Sequence, residues 1–146
     1  MPKLDVDALP VLRTSGYLPP YDAAVKGRSR RAIGVGLTEF GVNLVRLEPG
    51  AWSSQRHWHT AEDELVYMVA GEAVLIEDGG ETLLRAGDVA SFPKGVANGH
   101  HLVNRSSADA VFIAIGNDAP ATDECHYPDA DMFWSEATGY VRKPLR

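Results

Sequence analysis

Between residues 40 and 116, turn signals interrupt the chain about every ten residues, a rhythm that admits short strands and little else. Pro49-Gly50, Gly71, Asp78-Gly79-Gly80, Ala86-Gly87-Asp88 and Pro93 mark the breaks. Between them run Phe40 to Leu47, Leu65 to Ala70, Ala73 to Glu77, Glu81 to Arg85 and Val89 to Phe92. Gly99 to Asn104 and Ala110 to Ile115 follow. Such runs are too short for self-sustaining helices but long enough for strands. Asp78-Gly79-Gly80 supplies the positive φ that a tight hairpin needs, and Pro93 has no N–H with which to continue a ladder. The pattern predicts an all-β, antiparallel sandwich or barrel. No amphipathic helical period precedes the last stretch of chain, where Asp131 to Tyr140 reads as a helical turn or as a tail packed on the barrel.

Four of the five histidines fall in two clusters, His57/His59 and His100/His101. Residues i and i+2 of a strand share a face. The imidazoles of His57 and His59 can therefore converge on one point, about 2 Å from each donor nitrogen if that point is a metal ion. Glu62, Asp63 and Glu64 follow closely, and a carboxylate among them would add a third ligand. The competing reading is a histidine pair on a solvated strand face. The second cluster lies beyond several hairpins, but distant strands of a barrel project into a common cavity.

Together these stretches resemble the cupin family. Its first motif is glycine, five residues, His-x-His, three or four residues, Glu, six residues, Gly; here Gly50, six residues, His57-Trp58-His59, four residues, Glu64, six residues and Gly71 answer to it. Its second motif is glycine, five residues, Pro-x-Gly, two residues, His, three residues, Asn. Gly87, Pro93 and Gly95 fit, Asn98 stands where the histidine belongs, and His100 keeps the three-residue spacing to Asn104. The resemblance implies a double-stranded β-helix, a small antiparallel barrel open as a cup, here with an extended N-terminal arm. It implies a divalent transition metal held by His57, His59, Glu64 and His100, with His101 as the alternative to His100. Mixed nitrogen and oxygen donors suit Fe, Mn, Ni, Co, Cu or Zn. An open coordination position allows Lewis-acid, water-activating or dioxygen chemistry. The alternative is a barrel that keeps these histidines as satisfied polar groups in a ligand pocket.

Residues 1–34 are expected to form the arm, 35–118 the barrel and 119–146 a tail packed on it. The arm carries Pro2, Pro10, Pro19 and Pro20, and its apolar residues need a sheet or a second subunit to lean on, so a homodimer is expected. The run Lys26 to Arg31 reads as a solvated loop or subunit contact, with anion binding as the alternative. A net charge of −6 favours neither nucleic acid nor an anionic membrane as partner. No apolar run reaches the ~20 residues of a membrane span. The acids near Met1 do not suit a signal peptide, so a cytoplasmic protein is expected. Cys125, the single cysteine, excludes an intrachain disulfide. Tyr67 and Phe92 are expected to line the barrel, Trp58 to pack away from the metal face, and Gln55 and Arg56 to be loop residues. Glu62 and Asp63 read as solvated neighbours of Glu64, or as a second acceptor for an imidazole N–H. Cys125 and His126 read as structural. The partner is a small-molecule ligand or substrate. Two functions stay open: a metal-dependent oxygenase, isomerase or lyase, and a non-catalytic barrel that binds a sugar or metabolite. No catalytic residue is assigned.

Overall fold

Side-chain alternation and glycine-bearing turns produce twelve strands among residues 2–144, which the structure, a computed structural model, describes. Met1, Leu145 and Arg146, at the outer ends of the expected arm and tail, lie outside the described residues. In order the strands are β1 (Arg28–Ala32), β2 (Phe40–Leu47), β3 (Trp58–His59), β4 (Glu64–Ala70), β5 (Glu72–Glu77) and β6 (Gly80–Arg85). They continue as β7 (Val89–Phe92), β8 (His101–Val103), β9 (Ala110–Asn117), β10 (Glu124–His126), β11 (Phe133–Ser135) and β12 (Gly139–Val141). Helical structure among the described residues is limited to two short 3-10 turns, Val6–Ala8 and Ala23–Val25.

A five-stranded sheet, β1-β2-β9-β4-β7, faces a three-stranded sheet, β6-β5-β8, and every pairing is antiparallel. Val45, Leu47, Val66, Met68 and Phe112 of the first sheet meet Ala73, Leu75, Leu84 and Leu102 of the second in one core. Neither sheet closes on itself; together they make the two walls of a cup. The Glu77↔Gly80 pairing closes the β5–β6 hairpin where the Asp-Gly-Gly signal placed it.

On β2 and β9 the inward side chains shrink from the floor of the cup to its mouth, and on β4 they end in Glu64. Along β2 they run Leu47, Val45, Asn43, Gly41; along β9, Phe112, Ala114, Gly116; along β4, Met68, Val66, Glu64. Leu47 and Met68 are fully buried and fill the floor. The small residues above leave a cavity of about 310 Å³. A side chain on Gly116 would press on Asp63 O, 3.0 Å from its Cβ, beside the Glu64 side chain.

A second layer, β12-β11-β10-β3, is built from the tail and the His57–His59 segment. The tail therefore forms strands, and the helical turn over Asp131 to Tyr140 does not occur. Its buried Cys125, Tyr127, Ala130 and Met132 pack with Tyr17, Leu18 and Tyr21 of the arm. Tyr17 meets Tyr127 and Tyr140 edge-on, at centroid distances of 5.6 and 5.3 Å. This half of the arm is thus seated on its own chain, and a dimer is not needed to cover it. Residues 28–32, expected to lie in an arm without period, are β1, and Leu12 pairs with Arg30 at its outer edge. Tyr67 is a further correction: it points outward and is 43% exposed, because Val66 and Met68 hold the inward parity of β4.

Candidate metal centre

The first histidine segment is fastened to the second by backbone pairing. His57 N donates to His100 O at 3.1 Å and His100 N to His57 O at 2.9 Å. This reciprocal pair sets the two residues directly opposite, with side chains on one face. Their ring centroids are 4.9 Å apart, and His59, two residues on, brings its ring within 5.0 Å of His57. Glu64, the first residue of β4, lies across from all three. Its Oε1 is 3.3 Å from His57 Nε2 and in contact with His59 Nε2, and its Oε2 is 2.6 Å from His100 Nε2. The donor atoms of His57, Glu64 and His100 all lie within 4.8 Å of one another, and His59 joins through Glu64.

The other nitrogen of each ring is held by an acceptor. His57 Nδ1 is 2.8 Å from Gln55 O, His59 Nδ1 2.6 Å from Asp123 Oδ2 and His100 Nδ1 3.3 Å from Asn98 O. A carbonyl or carboxylate oxygen only accepts, so each Nδ1 carries a hydrogen and each ring turns its Nε2 toward Glu64. Lone pairs and a carboxylate that meet at one point repel unless a cation, a proton or a metal ion, lies between them. Neutral imidazoles with one carboxylate suit a divalent transition ion, so the donor set fits the expected metal.

Burial works against charge here, yet the contacts win. It would raise Glu64, but hydrogen bonds from His100, His57 and His59 hold its carboxyl well below the usual range. Burial would likewise lower His59, but Glu64 and Asp123 push it up to about 9. Phe92 stacks on His100 at 3.6 Å between centroids and 2° between planes, shielding that ring from water.

His101 faces the other way. One residue along a strand reverses the side chain, so its Nδ1 bonds Ser54 O at 2.8 Å and its ring meets Trp52 edge-on at 4.8 Å. Asn98, in the slot where the motif places histidine, accepts from Asp78 N at 3.0 Å and donates to Glu77 Oε1 at 3.0 Å. It caps the β5–β6 hairpin. Asp63 ties loops by accepting from Lys94 N at 2.8 Å. Glu62 lies near His59 and Asp123, and burial pushes its carboxyl up. Trp58 stacks on His126 at 4.5 Å. Gln55 is buried and donates to Tyr21 O at 3.0 Å. Arg56 grips Asp129 through two nitrogens, at 2.7 and 3.0 Å, and also pairs with Asp78, so it locks the tail to a hairpin.

Two further groupings come close enough to hold an ion: His57, His59 and Cys125, and His59, Glu62 and Asp123. Burial pushes the Cys125 thiol up, which disfavours the thiolate a metal needs. Asp123 escaped the sequence reading. It is buried, orients His59 and accepts from Ala61 N at 2.9 Å. Only the β3–β10 pairing, Cys125↔His59, brings it there, and no local signal announces it.

Comparison with known proteins agrees with this architecture. Residues 43–116 match the family model described as Cupin domain. Over 71 residues the chain is 32% identical to the oxalate-binding protein of Thermotoga maritima, an alignment covering 49% of this chain. It covers 56% of that protein, so the chain spans about half the length of this curated relative. A crystal structure of a sugar phosphate isomerase from a cupin superfamily, from Silicibacter pomeroyi, is 44% identical and superposes with a TM-score of 0.91. That match covers 99% of this chain and 97% of the other. A Cupin 2 conserved barrel domain protein from Salinispora arenicola is 26% identical, over 63% of this chain and 75% of that one, with a TM-score of 0.52.

Proposed function

The chain belongs to the cupin family, and from that premise we propose that it is a metal-dependent isomerase of a small polar molecule. The ion is a divalent transition metal, and its ligands are His57, His59, Glu64 and His100. The observation that carries this reading is the arrangement of three imidazoles, each held through Nδ1, with every Nε2 turned to one carboxylate. A solvated histidine pair would need none of this order.

A divalent ion bound there supplies Lewis-acid polarisation of a ligand oxygen. The protein's own groups do the rest. Gln55 O, Asp123 and Asn98 O fix the three tautomers, and Phe92 keeps water from His100. Ser54 and Asn43 line the cavity beside them and offer neutral hydrogen bonds to a hydroxylated ligand. The reaction class is supported by the likeness, over nearly the whole chain, to a sugar phosphate isomerase.

Elemental analysis of protein purified without added metal tests the first half, with near one transition ion per chain as the expected result. An aldose–ketose panel assayed with metal-loaded and chelator-stripped protein tests the second. Turnover that disappears on stripping and returns on reloading is expected. Metal without turnover would favour a second reading, a non-catalytic binding barrel, to which the similarity to an oxalate-binding protein lends support.

Asp123 gives a separate test. An acceptor behind a ligating histidine typically contributes 10–100-fold to metal affinity. Asp123→Ala is therefore expected to weaken metal binding by about that factor in competition with a chromogenic chelator. Asp123→Asn, which keeps an acceptor oxygen, should recover part of it. Equal affinity in all three proteins would remove Asp123 from the site.

A further inference from the structure

β1 carries arginines where its register calls for apolar side chains. Arg28 pairs with Leu47 and Arg30 with Val45, both members of the core. Directly opposed residues project to the same face, so Arg28 and Arg30 point into the cup, while Ser29 and Arg31 point out. Both inward arginines line the cavity that holds His57, Glu64 and His100.

Five other arginines find acids: Arg31 pairs with Asp7, Arg46 with Asp109, Arg56 with Asp78 and Asp129, Arg105 with Glu81 and Arg142 with Asp131. Among the described residues Arg28 and Arg30 form no ion pair. Arg28 is steered by backbone alone, donating through Nη1 to Ser53 O at 2.7 Å and through Nη2 to Thr14 O at 3.3 Å. The Arg30 side chain makes no hydrogen bond among the described residues. Burial pulls the Arg28 guanidinium down, and the nearby Arg30 charge adds to that. Two like charges, half-buried on one strand face without an acid, are a cost to folding. A bound anion would offset it.

We infer that Arg28 and Arg30 form an oxyanion subsite in the cup, which holds the phosphate or carboxylate group of the ligand whose other end meets the histidine cluster. A guanidinium fork matches either group through paired hydrogen bonds. Ser53 and Asn43 lie on the same wall. The carboxylates of the cavity are Glu64 and Asp118; Glu64 is already engaged by His57, His59 and His100, which leaves two guanidinium groups against Asp118. The inference rests on the proposed metal centre only for the far end of the ligand.

Calorimetric titration with inorganic phosphate, and separately with oxalate, tests it on metal-loaded and chelator-stripped protein. Arg30→Gln removes a side chain with no structural bond, and Arg28→Lys keeps the charge but loses the fork. Wild type is expected to bind at least one of the two anions. Arg30→Gln should bind it about tenfold or more weakly, with metal content unchanged and the loss persisting in stripped protein. Weakened phosphate binding identifies a phosphorylated ligand, and weakened oxalate binding a carboxylate. Anion affinities equal to wild type in both variants, or a wild type that binds neither anion, overturn the subsite. Anion binding that depends on Arg30 in a protein that takes up no metal on loading upholds the subsite and overturns the metal centre, so the two failures are distinguishable.

Discussion

Replacement of His57 and His59 together by alanine is expected to lower the metal content from near one ion per chain to below about a tenth of that. Both rings turn Nε2 to Glu64, so the double variant removes half of the four-donor set at once. Neither histidine belongs to the hydrophobic core, so the far-ultraviolet circular dichroism should stay that of wild type. Single variants then separate the second cluster. His100→Ala is expected to lose metal in the same way, because its Nε2 lies 2.6 Å from Glu64 Oε2. His101→Ala is expected to keep the ion and lose only stability, because its Nδ1 bonds Ser54 O. Metal retained by the double variant would place the ion away from this cluster. Loss in His101→Ala with retention in His100→Ala would exchange their roles.

Gly71→Ala is expected to destabilise the protein by about 3 kcal/mol or more. Gly71 has φ of 69°, a conformation that costs any residue with a Cβ. An added Cβ would also collide with the backbone oxygen of Asp109, and that oxygen cannot rotate away. The ladder between β4 and β9 shifts register between Met68 and Ala70, just before this turn, so there is little slack nearby. A loss of this size is a large share of a typical stability of 5–15 kcal/mol, and should lower Tm by roughly 6–12 °C. Gly79→Ala is the control: nothing lies within 4 Å of its added Cβ, and little change is expected. Urea unfolding of the two variants beside wild type measures the difference. Equal midpoints for Gly71→Ala and wild type would show that the turn can rearrange.

Recognition of the individual strands from sequence depended on how much of each one alternated or sat between glycines. β2, β5, β6 and β7 were legible because Pro49-Gly50, Asp78-Gly79-Gly80, Ala86-Gly87-Asp88 and Pro93 bound them. β1 was not, since Arg28-Ser29-Arg30-Arg31 reads as a solvated charge run until its register with β2 turns two of those arginines inward. β10, β11 and β12 span three residues each, too few for any period to declare itself. Tyr67 was misplaced for the opposite reason. The run Leu65-Val66-Tyr67-Met68-Val69-Ala70 is apolar at every position, so its composition does not say which parity faces the core.

The same division runs through the candidate site. Spacing alone placed His57 and His59 on one face, and the distances onward to Glu64 and Gly71 identified the family's first motif. The position of His100 was ambiguous in the sequence, displaced by two residues from its expected slot. The reciprocal backbone bonds between His57 and His100 set those two rings side by side, while His101 turns to Ser54 O. Asp123, Phe92 and the inward arginines of β1 reach the site only through pairings between distant strands. Local sequence determines that alternate residues share a face. Only tertiary structure decides which face turns inward and what stands across from it, because pairing between distant segments carries no local period.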